Sequence, residues 1–173
     1  MTVQSHASTD VIQRILGIGD ESPINALRGA KPNQIDELQA YYEAIFAPDN
    51  ESALTFAVAD RALVAVRVAS LTGSSAVVEW YAGLAEEYEV SGEKIDAAGE
   101  VAKPWTDNSP LAAAIRHADL LTTRPSHARA ADIHALKGAG LSPAAILVVS
   151  QTIAFVSYQV RLVAGLRAWG GQS

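Results

Sequence analysis

Between Asp60 and Tyr81 the chain reads DRALVAVRVASLTGSSAVVEWY, and this stretch organises everything around it. Leu63, Val64, Val66, Val68 and Leu71 give a strongly apolar helical surface, which Ala62, Ala65 and Ala69 keep slim. Thr72-Gly73 predicts the end of that helix, because glycine tolerates the left-handed conformation of a helix terminus. Ser74 or Ser75 then caps a second helix by accepting from a free backbone N–H. A helix start behind a Gly-Ser-Ser turn offers N–H donors and the positive end of the helix dipole. In an enzyme that environment makes a reactive thiolate, but this chain has no cysteine.

That absence excludes disulfides, thiol catalysis and cysteine-ligated metals. A length of 173 residues suits one domain with a sizeable core, and abundant alanine with few aromatics favours closely packed helices. The net charge of −6 argues against a nucleic-acid or anionic-membrane surface. The opening MTVQSHASTD lacks the basic and apolar regions of a signal peptide. The longest apolar stretch, Ala144 to Leu166, carries Ser150, Gln151, Ser157, Gln159 and Arg161, too many polar groups for a lone membrane span. A soluble cytoplasmic protein is expected, with no nucleic-acid or membrane partner.

The rest of the chain reads as further helices. Residues 1–9 are expected to be irregular, Asp10 to cap a short helix through Leu16, and Ser22-Pro23 to start another. Asn33 is expected to cap a helix carrying Ile35, Leu38, Tyr41, Tyr42, Ile45 and Phe46, closed by Pro48-Asp49-Asn50. Beyond the hairpin come a short helix behind Ser91, a loop over 99–110 and a helix from Ser109-Pro110 to about Leu121. Ser126 is expected to cap one more, holding Ile133 and Leu136. The last helix is the longest. Ile146, Val149, Ile153, Val156, Val160 and Val163 make one apolar side, and Leu147, Val148, Phe155, Leu162 and Leu166 a second. A helix apolar on two sides must be covered on two sides, and a second subunit is the expected second cover. The fold class is all-α throughout, with an N-terminal helical extension over 1–50 packed on a core over 51–173 in one globular domain.

Two blocks carry a resemblance. Arg61-Ala62-Leu63-Val64, then Leu71-Thr72-Gly73-Ser74-Ser75-Ala76-Val77, then Tyr81 resemble the core motif of the alkylhydroperoxidase D and carboxymuconolactone decarboxylase superfamily. Its redox members spell this Arg-Glu-Leu-Val, an apolar helix, Asn-Gly-Cys-x-x-Cys, and a His four residues on. Gly138 to Leu147 resembles the family's Ala-Gly-Leu-Ser turn, and Phe155 to Leu166 its closing helix. The resemblance implies an AhpD-like bundle built on a central helix-turn-helix hairpin and a long C-terminal helix, in a cysteine-less subgroup. It also implies trimers or hexamers, or a hetero-oligomer with a cysteine-bearing paralogue. Ala62 stands in place of the family's glutamate, Ser74 and Val77 in place of its cysteines, and Tyr81 in place of its histidine. The frame is kept and the chemical groups are gone, so thiol peroxidase activity is expected to be absent.

Among the remaining polar groups, Arg67 lies inside an apolar helix and needs solvent or a carboxylate. Glu79 on the second hairpin helix is the expected partner. Arg67, Ser74, Glu79 and Tyr81 then form the candidate pocket, a remnant able to hold a small anionic or carbonyl ligand. Tyr81 would donate a hydrogen bond there, its ordinary pKa near ~10 making it a poor base. Ser74 lacks an adjacent base and reads as a cap rather than a nucleophile. His127 and His134 share a face if their helix is continuous, but no third ligand sits at a local spacing, so neither metal nor cofactor is expected. His117, among Arg116 and Asp119, is expected to be exposed. Three functions fit: a non-catalytic structural or regulatory subunit, a cysteine-independent enzyme, or a small-molecule binding protein.

Overall fold

A computed structural model describes residues 10–49 and 56–170. The irregular leader expected over 1–9 lies outside them. The described residues form nine α-helices, a single 3-10 turn over Pro125–His127 and no strand. They are α1 (Val11–Leu16), α2 (Pro23–Gly29), α3 (Pro32–Phe46), α4 (Val58–Leu71), α5 (Ser75–Glu87), α6 (Gly92–Gly99), α7 (Pro110–Thr123), α8 (Ala130–Gly138) and α9 (Pro143–Gly170).

The hairpin stretch becomes α4 and α5, and α4 is the axis of the molecule. Every residue from Arg61 to Ala69 is buried. The helix packs against α3, α5, α6, α7 and α9. Leu63, Val64, Val66 and Val68 each contribute about 1.5–3 kcal/mol by burial, and the intervening alanines let neighbouring helices come close. Gly73 makes the turn at φ 72°. The Ser74 amide reaches back to the Ala69 carbonyl at 3.1 Å, satisfying one of the open carbonyls of α4.

Several helix starts follow their expected caps. Asp10 accepts from the Ile12 amide at 3.0 Å, Ser22 from Ile24 at 3.3 Å, and Ser109 from Ala112 at 3.1 Å. Asp10 also pairs with Arg28, which ties the start of α1 to the end of α2. Two starts differ. α3 begins at Pro32, ahead of the expected Asn33 cap, with Lys31 in the cap position and no side-chain cap. Ser126 falls in the 3-10 turn, and α8 begins only at Ala130, where Asp132 accepts from the Arg129 amide at 2.7 Å.

The two-sided α9 finds most of its cover within its own chain, although Leu147 stays exposed. One side meets α4, α7 and α8, and the other meets α1, α2 and α3. Phe155 stands edge-on to Tyr41, with ring centroids 5.1 Å apart. At the far end the backbone comes so close to α2 that a Cβ on Gly170 would sit 2.8 Å from Ile24 Cδ1. The N-terminal helices, whose apolar faces need a surface of their own, thus cover much of the side of α9 expected to meet a second subunit. Among the described residues, α9 alone is long and apolar enough to cross a membrane, with a mean hydropathy of 1.5 over 18 residues. Half of that window is buried inside the fold.

Candidate functional site

The hairpin brings Ala62, Val77 and Tyr81 together in the interior, and none of the three has any exposure. The Tyr81 ring packs on Phe46 at 4.8 Å, and its hydroxyl donates to Gln159 Oε1 of α9. Burial pushes the Tyr81 hydroxyl well above its ordinary range, so it stays a neutral donor. Gln159 is fully buried, and its Nε2 has no acceptor. Tyr81 thus spans two helices rather than facing a ligand. Ser74 takes the N-cap position of α5, but its hydroxyl makes no capping bond. Gly73 and the Ser74 carbonyl, which accepts from Val77 and Val78, shape that helix start instead.

The other two candidate pocket residues lie elsewhere. Arg67 does not pair with Glu79. It holds Asp119 of α7 in a two-pronged ion pair, Nε to Oδ1 at 2.6 Å and Nη2 to Oδ2 at 3.0 Å, and donates to the Glu100 carbonyl at 2.8 Å. A planar guanidinium matches a carboxylate in this way, and the three bonds lock α4, α6 and α7 together. Glu79 is exposed. It and Tyr81 are two residues apart on α5, about 200° around the helix, so they point to opposite sides. The structure accordingly does not bring Arg67, Ser74, Glu79 and Tyr81 into one pocket.

Glu79 instead lines a groove of about 490 Å³ between α1 and α5. Its wall on α5 is the stripe Ala76, Glu79, Trp80, Gly83, Leu84 and Glu87, one face of the helix. Arg14 of α1 lies over the Trp80 ring, 4.6 Å from its centroid. Tyr42 of α3 and Arg167 of α9 complete the rim. Burial raises the Tyr42 hydroxyl to about 12. None of Arg14, Arg167, Glu79 and Glu87 forms an ion pair among the described residues. The spacing of the α5 stripe is a signal that could have pointed to this groove, while Arg14 and Arg167 carry no local mark.

His127 and His134 do not share a helix face. His127 lies in the 3-10 turn and His134 in α8, so no continuous helix carries both. Among the described residues no cluster of three metal-ligating side chains occurs. His117 is buried rather than exposed, because it faces α8 across a small cavity shared with Arg116, Asp132 and Leu136. Burial lowers its pKa, although nearby Asp132 opposes the shift.

No protein-family model and no curated protein sequence matches the chain. Solved structures do. One is an uncharacterized peroxidase-related protein from Silicibacter sp., at TM-score 0.72 and 12% identity, over 83% of this chain and 73% of that one. Another is an uncharacterized peroxidase-related protein from Ralstonia eutropha, described as an alkylhydroperoxidase AhpD core. It aligns at TM-score 0.69 and 18% identity, over 88% of this chain and 80% of the other. At these identities the likeness is one of fold.

Proposed function

We propose that this chain, which has the AhpD-like fold, is a non-catalytic structural or regulatory subunit. One observation carries the reading. The positions matching the family's reactive groups hold Ala62, Ser74, Val77 and Tyr81, and three of the four are sealed from solvent. A peroxide meets no thiol at any of the four, and the three buried positions are closed to it. The cysteine-independent enzyme is the weaker reading, since the Tyr81 hydroxyl is engaged by Gln159 in the core.

A surface on α9 supports partnership, either with copies of itself in a trimer or hexamer or with a cysteine-bearing paralogue. Leu147, Tyr158 and Trp169 are the exposed large apolar residues of that helix. They recur every 11 residues, a spacing that returns to nearly the same side of a helix. The proposed location is the cytoplasm, where such a partner would be met.

The test has two parts. Purified protein supplied with a dithiol and an organic hydroperoxide should show no turnover above a no-protein blank; clear turnover overturns the proposal. Native mass spectrometry on protein taken gently from its source cells should then show an oligomer. A mixed complex supports the subunit role, whereas a homogeneous self-oligomer shifts the weight to small-molecule binding.

A further inference from the structure

The groove between α1 and α5 has no role in the packing just described. Its walls combine apolar surface from Ile15, Leu16, Trp80 and Leu84 with two guanidinium groups, Arg14 and Arg167. Neither guanidinium has a carboxylate partner among the described residues. Arg14 is already ordered by its stacking over Trp80, which reduces the entropy lost when it closes on an anion. Gly83 forms the floor, and a Cβ built there meets nothing within 4 Å, so the groove is open above the helix backbone. The volume of about 490 Å³ is that of a small-molecule site. Tyr42, kept protonated by burial, adds a hydroxyl at the rim.

We propose that this groove binds a small organic monocarboxylate with an apolar body. The carboxylate sits between Arg14 and Arg167, and the body lies on Trp80 and Leu84 over Gly83. Glu79 and Glu87 stand in the same lining and repel a second negative charge. The site is therefore selective for monoanions. This inference is independent of whether the chain is catalytically silent, because no group of the hairpin interior takes part.

The test uses the intact protein and phenylalkyl carboxylates as probes, followed by calorimetry and by amide shifts in NMR. 3-Phenylpropionate should bind at millimolar concentration or better and shift residues of α5 and the end of α1. Its neutral amide and phenylsuccinate should bind more weakly. Arg14→Gln and Arg167→Gln, both at exposed positions, should each weaken binding about tenfold, the loss of one charge-assisted hydrogen bond. Gly83→Leu should abolish binding by filling the floor while improving helix propensity, so loss of binding there is not loss of fold. Glu79→Gln should raise affinity for phenylsuccinate. No binding of 3-phenylpropionate by the folded protein, equal binding of its amide, or binding that survives Gly83→Leu would each overturn the proposal. Turnover together with binding rejects the subunit proposal alone, and absence of both turnover and binding rejects this inference alone.

Discussion

Tyr81 shows how one residue can look chemical in the sequence and be structural in the fold. Its hydroxyl and Gln159 are a buried pair with one amide hydrogen-bonding group left over. Tyr81→Phe should cost about 1–2 kcal/mol, because Gln159 Oε1 is then orphaned as well. Adding Gln159→Leu should recover most of that loss, since removing both partners of a buried hydrogen bond is nearly neutral. Urea denaturation of the two single variants and the double variant measures this. If the double variant loses the sum of the singles, the pair is not the coupled unit described. Arg67 teaches the complementary lesson. Its need for a carboxylate was legible in the sequence, but its choice of Asp119, 52 residues away, was not. Nothing local distinguishes Asp119 from Glu79, and only the packing of α7 on α4 decides between them.

The ends of the α4–α5 hairpin turn on backbone conformation more than on contacts. Gly73 has φ 72° and Glu89, just past α5, has φ 59°, the one non-glycine residue with positive φ among the described residues. A residue with a Cβ pays about 1–2 kcal/mol there. Glu89→Gly should therefore stabilise the protein by about 0.5 kcal/mol after the entropy cost of glycine is deducted. Gly73→Ala, at open space but in the left-handed region, should destabilise it by about 1 kcal/mol. For a domain of this size those changes move the melting temperature by about +2 and −3 °C in a thermal scan. A shift of the same sign in both variants would contradict the backbone account. The helices themselves were readable because their signals are local: apolar spacing within α3, α4 and α9, and cap residues at Asp10, Ser22 and Ser109. The start of α8 was misread because Ser126-His127 resembles a cap, whereas Asp132 closes the helix from inside.

At the scale of the molecule, stability should depend on pH through His117. Burial lowers its folded pKa below the ordinary value of about 6.5. Between the two values the unfolded chain holds the extra proton, so stability rises with pH through that window and falls as pH drops below about 6.5. Asp60 has the opposite sign: burial raises its pKa, so its penalty is relieved as pH falls toward the carboxylate range. Denaturant midpoints taken from pH 7 downward should decline, and His117→Gln should flatten the first part of that decline. An unchanged slope would show that His117 titrates alike in both states. The sequence by itself determined the all-α class, the α4–α5 hairpin with its glycine break, the helix caps at Asp10, Ser22 and Ser109, and the absence of thiol chemistry. Each of these follows from residue identity or from neighbours within a turn or two. Only the tertiary structure decided that α1–α3 pack on α9, that Tyr81 and His117 are buried, and that Arg14 and Arg167 line one groove. Those outcomes depend on which helix faces pack together, and helix periodicity marks a face as apolar without naming the surface that will cover it.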